Sequence, residues 1–452
     1  MLDAVDTSAI FKAYDVRGTY PDQLNEDVAR AVGSAFATFA GAPRIVVARD
    51  MRPSGVALGA AFADGARAVG VEVVDLGLAS TDMLYFATGY LDAPGAMFTA
   101  SHNPARYNGI KLCRAGAAPV GTESGLAEVE AMTNSFLDAP ATGAPAALTA
   151  QDLSVEWVTH VHSFVDLTEL RELRVVADAA NGMGGFVAPL VFDGLPMSLD
   201  LLYGELDGTF PNHPADPLNP DNLVDLQRRV LETGADLGMA FDGDADRVFL
   251  IDERARPISG SVTTALVAAA MLERHPGATI LHNVICSKCV PEVIAERGGR
   301  AVRTRVGHSY IKQVMAETGA VFGGEHSGHY YYADNYRADS GIITALIVLD
   351  LLSRAGGALS DLVAPFDRYA DSGEINSVVE NPAAAIEALA RRLGEGGAVI
   401  DRLDGLTADF GSWWFNLRPS NTEPLLRLNV EADTEEECSR RVDEVLALMK
   451  EA

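Results

Sequence analysis

Short apolar runs alternate with longer stretches in which apolar residues recur every three or four positions, and one such alternation repeats three times. RIVVARDMRPSGVALGAAFADGARAVGVEVVDLG (44–77) is an apolar run, a polar loop, a helix-period segment and a second apolar run. LRVVADAANGMGGFVAPLVF (173–192) repeats the strand, the glycine-rich loop and the helix start, and ATILHNVICSKCVPEVIAERGGRAVRTRVG (278–307) does so again. Strand-like runs alternating with helices are βαβ units, which build mixed or parallel sheets. The pattern therefore predicts an α/β protein with three domains of similar mixed-sheet plan. The C-terminal stretch differs. SWWFNLRP and PLLRLNVEA are expected strands around a polar loop, and TEEECSRRVDEVLALMK is a closing amphipathic helix, which together predict a smaller α+β domain.

The joints follow from composition. LDAPATGAPAALTAQD (137–152) is rich in Ala, Pro, Gly and Thr and has the character of a linker. A second boundary follows VFLIDERARPISG (248–260), and FDRYADSGEINSVVE (366–380) opens the last segment. The expected domains are 1–149, 150–254, 255–367 and 368–452. A length of 452 residues is too great for one ordinary core and agrees with several.

Composition narrows the class. The hydrophobic share of 48% and charged share of 22% are those of a globular protein. The longest apolar stretches, 261–272 and 341–352, fall short of the ~18 residues a membrane span needs and are expected to be buried helices. The start of the chain lacks the basic opening and apolar run of a signal peptide, which makes the cytoplasm the expected compartment. Cys286 and Cys289 form a CxxC, but no second pair of ligands at similar spacing stands nearby, so two packed thiols are the better reading. The net charge of −28 argues against nucleic acid or an anionic membrane as partner. Against that field, an anionic substrate would need local clusters of cations.

Candidate chemistry lies in polar loops. In FDGDADRVFLID (241–252), Asp242, Asp244 and Asp246 alternate, so an extended or turning backbone can aim three carboxylates one way. Three hard oxygen donors suit Mg²⁺. A calcium-loop match fails because Arg247 stands where that loop requires glycine. A solvated acidic turn and an aspartyl-phosphate nucleophile at Asp242 remain as alternatives. GGEHSGHYYY (323–332) sets Glu325, Ser327 and His329 at alternate positions between glycines, a pattern suited to sugar hydroxyls or to an ordinary hairpin. LRPSNTEPLLR (417–427) offers Arg418, Ser420, Asn421 and Thr422, donors suited to a phosphate dianion and also to a turn. Arg17 and Lys111 are candidates for holding or activating a reacting group, His308 is a candidate proton carrier, and Arg49 and Arg52 are at least as well explained by an ion pair with Asp50. Ser101, in FTASHNPARYNGIK (98–111), has no acid–histidine relay spelled out beside it. Taken alone it is a nucleophile, a helix cap or an ordinary loop residue.

Together these loops resemble the α-D-phosphohexomutase family, most closely its bacterial phosphomannomutase/phosphoglucomutase branch. The resemblance rests on AYDVRG, TASHNP followed by NGIK, DGDADR, VGHS, GEHSGH and RPSNTEP, in the family's order and over nearly the whole chain. It implies four domains around a central cleft. It implies that Ser101 carries the phosphoryl group, and that Asp242, Asp244 and Asp246 hold Mg²⁺ together with an oxygen of that phosphoserine. Glu325 and Ser327 would bind sugar hydroxyls, and Arg418, Ser420, Asn421 and Thr422 the phosphate that is not reacting. Arg17, Lys111, Arg247, His308 and His329 match positions lining the reaction site, with Lys111 and His308 expected to move protons. The implied activity interconverts mannose 6-phosphate and mannose 1-phosphate through a hexose 1,6-bisphosphate, with glucose phosphates as a second substrate. A phosphoglucosamine mutase and a non-catalytic sugar-phosphate binding protein are the alternatives. The expected partners are hexose phosphates alone, on a monomer or weak homodimer. Two departures lie near the sugar: His326, and NYRADSG (335–341) where a more acidic pattern is expected.

Overall fold

The run RIVVAR becomes the strand Arg44–Arg49, with its four central residues enclosed. It lies parallel to Glu72–Leu78 on one side and to Gly95–Phe98 on the other. A central parallel strand is covered on both faces, which is why the run is apolar rather than alternating. In this computed structural model, which describes residues 7–379, 381–419 and 425–451, the chain divides into two units: Met1–Ser259 with Ser327–Leu362, and Gly260–His326 with Val363–Ala452.

The first unit holds two sheets. The order of the first is Val16–Thr19, Tyr107–Arg114, Gly95–Phe98, Arg44–Arg49, Glu72–Leu78 and Leu148–Ala150. The first two strands are antiparallel to their neighbours and the others are parallel. The 137–152 stretch expected to be a linker thus supplies an edge strand at its end. Leu148–Ala150 is exposed throughout and is held by backbone pairing, so no apolar pattern announces it.

Helices Glu26–Ala40 and Pro53–Ala68 pack on this sheet, where Phe36, Phe62 and Phe98 share one core and Phe62 meets Phe98 edge-on at 5.5 Å. Asn25 caps the first helix by accepting from the Val28 amide, and Gly41 ends it at φ 61°. The two helices cross closely through glycines. A Cβ at Gly33 would stand 2.1 Å from the Phe62 carbonyl oxygen, and one at Gly65 1.9 Å from that of Arg30.

The second sheet runs Pro257–Ile258, Val248–Asp252, Leu237–Phe241, Leu173–Asp178, Met197–Leu202. Its last three strands are parallel, and Val248–Asp252 returns antiparallel to Leu237–Phe241. Helix Gly341–Ala355 is buried over nearly its whole length within this unit, as its apolar composition predicts.

In the second unit, Arg300–Thr304, Thr279–Asn283 and Phe322–Gly324 form parallel neighbours, accompanied by the buried helix Gly260–Arg274. The C-terminal segment is an antiparallel sheet, with Leu425–Ala432 and Trp413–Pro419 as its long central pair and helices Pro382–Glu395 and Glu435–Glu451 beside it. This is the expected α/β class with a C-terminal part of different plan. The CxxC thiols are both buried and free. Cys286 lies in the turn before helix Cys289–Glu296 and donates toward the Gly324 carbonyl, whereas Cys289 donates to that of Phe366. Among the described residues no helix is long and apolar enough to cross a membrane.

The helix crossing gives a test with a definite sign. Glycine to alanine inside an unobstructed helix stabilises by about 0.5–1 kcal/mol. At Gly33 and Gly65 the added methyl meets backbone, so Gly33→Ala and Gly65→Ala should each destabilise by about 1–3 kcal/mol. Thermal unfolding measures this, and a Tm that rises in both variants would show that the helices are free to separate.

Candidate active site

Both loops at the centre of the first unit leave the carboxyl ends of parallel strands, where open α/β sheets place their ligands. The TASHNP loop follows Gly95–Phe98 and the chain returns as Tyr107–Arg114, which carries Lys111. The DGDADR loop follows Leu237–Phe241 and returns as Val248–Asp252. The two loops touch. A Cβ at Gly243 would lie 2.3 Å from the Ser101 carbonyl oxygen, so only glycine allows this approach.

Ser101 is buried, with φ 48°. A residue with a side chain is strained in this region by about 1 kcal/mol or more, and glycine would adopt it freely. The position therefore retains a hydroxyl against local backbone preference. Ser101 Oγ donates to Asp242 Oδ2 at 2.6 Å, with Arg247 Nη2 at 3.3 Å and His102 Nδ1 at 3.2 Å. It caps no helix.

Asp242, Asp244 and Asp246 are all buried, and each offers an oxygen within 4.8 Å of the others. Arg247 binds Asp242 through Nε at 2.9 Å. Lys111 Nζ donates to Asp244 Oδ2 and Asp246 Oδ2, both at 2.7 Å. Thr81 Oγ1 also donates to Asp244 Oδ2, at 2.6 Å. Burial pushes Asp242 up to about 8, even against the neighbouring Arg247 guanidinium. Burial would likewise raise Asp244, but the Lys111 ammonium and the Thr81 hydroxyl outweigh it and hold Asp244 far below the usual range. Lys111 is the mirror case: burial disfavours its charge, and the two carboxylates more than restore it, so its pKa lies well above normal. Lys111 thus places a compensated positive charge between the two carboxylates.

The donor set fits Mg²⁺. Asp244 Oδ1 and Asp246 Oδ1 are buried carboxylate oxygens with no hydrogen-bond partner. Leaving such atoms unsatisfied is costly, and hard oxygen ligands suit that ion. Formally, three carboxylates against Lys111 and Arg247 leave one negative charge uncompensated in this pocket.

Arg17 lies on the strand paired with Tyr107–Arg114 and reaches Asn103 Oδ1 in the serine loop and Asp15. His329 stands with its Nδ1 at 3.4 Å from Asp339 Oδ2, and these two form a second cluster with Asp246. Asp339 comes from NYRADSG, so that departure still brings one acid to the site. Ser327 is half-buried in the turn before His329.

Glu325, His308 and Arg418 lie in the second unit. Glu325 Oε1 accepts from Asn283 Nδ2 at 3.2 Å and from the Gly307 amide at 3.0 Å. His308 is the next residue and opens helix His308–Thr318. His326 is engaged with Ser261 Oγ at 2.9 Å. Arg418 pairs with Glu374 at 2.6 Å and faces Arg427 in strand register. Ser420, Asn421 and Thr422 lie outside the described residues.

Sequence reasoning passed over four residues of the first unit. Thr81 orients Asp244, and Asp339 sits beside His329. Arg52, for which an ion pair with Asp50 is one of two open readings in the sequence, makes that pair and also reaches four carbonyls between Ser101 and Tyr107. His102 Nδ1 accepts from Arg247 Nη2 at 2.7 Å, and burial together with that guanidinium holds its pKa well below normal. Only adjacency to Ser101 could have flagged His102. Thr81 reaches the site through tertiary packing and leaves no local signal, whereas Asp339 stands in the NYRADSG stretch ten residues after His329.

Comparison with known proteins accounts for this assembly. Models of the three phosphoglucomutase/phosphomannomutase alpha/beta/alpha domains match residues 8–136, 155–256 and 259–369, and the model of the C-terminal domain matches 374–448. The chain belongs to this family. It is 41% identical over 428 residues to the "Phosphohexose mutases" protein of Xanthomonas campestris pv. campestris, spanning 94% of this chain and 95% of that protein. It is 40% identical over 433 residues to a phosphomannomutase of Salmonella montevideo, spanning 93% and 94%. A phosphoglucomutase/phosphomannomutase family protein from Burkholderia thailandensis has a similar crystal structure, with TM-score 0.89 and 33% identity over 98% of this chain and 97% of that one. The family members share the α/β plan found here.

The aspartate cluster predicts its own metal response. Asp244→Asn removes one carboxylate charge while leaving the shape of the loop, and Mg²⁺ binding followed by calorimetry should weaken by about tenfold or more. An unchanged isotherm would remove Asp244 from the metal site.

Proposed function

We propose that this protein is a phosphomannomutase that interconverts mannose 6-phosphate and mannose 1-phosphate, with glucose phosphates as a second substrate. The relatives named above support the enzyme class, an intramolecular phosphotransferase acting on hexose phosphates. The observation that carries the reading is Ser101 Oγ, held in a strained turn 2.6 Å from Asp242 and beside the cations of the aspartate loop. That environment suits phosphoryl transfer, which depends on positioning and charge neutralisation more than on covalent activation.

Phospho-Ser101 gives its phosphoryl group to the free hydroxyl of a hexose monophosphate. The P–O bond to Ser101 Oγ breaks, a P–O bond to the sugar oxygen forms, and the hydroxyl proton passes to a base. The hexose 1,6-bisphosphate then presents its other phosphate, Ser101 Oγ takes that group, and a proton returns to the sugar oxygen released. Asp242, Asp244 and Asp246 would hold Mg²⁺, which when bound would supply charge neutralisation at the transferring group. Lys111 and Arg247 add fixed positive charge there, and Arg17 steadies the serine loop through Asn103. Within the first unit the base is His329, which the Asp339 carboxylate orients. His308 is the second candidate for moving a proton. Glu325 and Ser327 recognise sugar hydroxyls, and Arg418, Ser420, Asn421 and Thr422 hold the phosphate that is not reacting. The matching organisation is four segments, 1–149, 150–254, 255–367 and 368–452, carrying in turn the serine, metal, sugar and phosphate loops.

Intact-protein mass spectrometry tests the carrier. After treatment with hexose 1,6-bisphosphate the wild type should gain one phosphate, and Ser101→Ala should gain none and lose mutase activity by about 10³-fold or more. Full activity in Ser101→Ala would sink the mechanism and favour Asp242 as nucleophile. Turnover of mannose, glucose and glucosamine 1-phosphates in parallel settles the sugar. Mannose phosphate should lead, and a lead for the amino sugar would make the protein a phosphoglucosamine mutase.

A further inference from the structure

Arg52 is completely buried on the far side of the serine loop. Its guanidinium has five N–H donors, and every nitrogen is engaged. Nε donates to Asp50 Oδ2 at 3.2 Å. Nη1 donates to the carbonyls of Pro104 at 3.0 Å and Tyr107 at 2.9 Å. Nη2 donates to the carbonyls of Ser101 at 2.8 Å and Asn103 at 2.6 Å. Three of the four carbonyls belong to residues 101–106, which no helix or sheet ladder organises, and the fourth is that of Tyr107, where the strand Tyr107–Arg114 begins.

Asp50 fixes the donor. Its backbone N–H is tied to the Phe98 carbonyl, at the end of the strand from which the serine loop departs. Its Oδ1 accepts the Arg52 amide, and the guanidinium also lies over the Phe210 ring at 5.1 Å. The Ser101 carbonyl is therefore gripped by Arg52 on one side and abutted by Gly243 of the metal loop on the other. The Ala100–Asn103 turn is closed by its own backbone bond and the Ser101 amide is held by Thr99, but the carbonyls that converge on the guanidinium would repel one another without it and loosen the strained turn.

From this geometry we infer that Arg52 is the positioning residue of the phosphoserine loop: its planar fork holds the backbone of residues 101–107 so that Ser101 Oγ stays aimed at the aspartate loop. The inference rests on Ser101 being the phosphoryl carrier. Arg52 touches no reacting atom, and its effect is on the rate of transfer rather than on substrate recognition. A lysine keeps the charge but not the fork, and cannot span four carbonyls and a carboxylate at once.

The experiment compares Arg52→Lys with wild type in kcat, KM, Tm and the initial rate at which Ser101 is phosphorylated by hexose 1,6-bisphosphate. The expected result is a kcat and a phosphorylation rate both lower by about 100-fold, the scale of a misplaced reacting group, with KM changed by less than about threefold. A folded Arg52→Lys enzyme whose kcat per folded molecule is within about twofold of wild type would overturn the inference, as would a rise in KM with kcat unchanged. Should Arg52→Lys fail to fold, Phe210→Leu decides. It removes the ring beneath the fork and leaves every hydrogen bond donor in place. It should lower kcat about threefold at unaltered KM, by weakening a contact of roughly 0.5–1 kcal/mol, and an unaltered kcat would overturn the inference. Retained activity in Ser101→Ala would instead overturn the carrier reading itself, so the two failures are distinguishable.

Discussion

Three buried carboxylates forced close together are the constraint from which the site in the first unit follows. Asp242, Asp244 and Asp246 occupy one turn between two strands of a sheet and cannot separate. Like charges in a low-dielectric setting repel strongly, so the fold has to bring compensation to them. Arg247 arrives from the same loop, Lys111 from the strand that follows the serine loop, and Thr81 from the start of helix Thr81–Tyr90. Lys111 and Thr81 each tie a separate piece of chain to the aspartate loop, and Arg247 reaches from it to Ser101 and His102. Charge compensation and assembly of the site are thus one event, and the oxygens left without partners are the ones a divalent cation would take. The overall charge of −28 sharpens the point, because cations for a polyanionic substrate have to be supplied locally.

The serine loop depends on that arrangement and on Arg52. Ser101 adopts a backbone conformation that its own side chain disfavours, its carbonyl packs against Gly243 of the aspartate loop, and a buried guanidinium donates to that same carbonyl. A nucleophile relay beside the serine is unnecessary for phosphoryl transfer between oxygens, where placement and neutralised charge set the rate.

How much of this the chain declares in advance differs from residue to residue. The strand Arg44–Arg49 and the helices Gly260–Arg274 and Gly341–Ala355 are legible because burial on all sides demands apolar residues throughout. The aspartate triplet is legible because its spacing is local. Leu148–Ala150 is invisible, since an exposed edge strand needs only backbone partners and makes no demand on side chains. Thr81 is invisible for another reason: it lies 163 positions from the carboxylate it serves, whereas Asp339, ten residues from His329, lies in a stretch whose chemistry gives it no specific role in advance. Arg52 is half legible. Its nearness to Asp50 suggests an ion pair, but the four carbonyls it holds belong to a loop some fifty residues on. Lys111 is legible only in part: its place after the serine loop marks it as a site residue, but its pairing with Asp244 and Asp246 comes from a loop more than a hundred residues on.

The central claim is that the phosphoryl group on Ser101 is the one that reaches the sugar. A single-turnover experiment with radiolabelled phosphoenzyme and unlabelled mannose 1-phosphate addresses it directly. The account predicts that label leaves the protein at a rate no slower than kcat and appears first in hexose 1,6-bisphosphate, then at the 6-position of mannose phosphate. Label that remains on Ser101 while the sugar phosphate isomerises would contradict it.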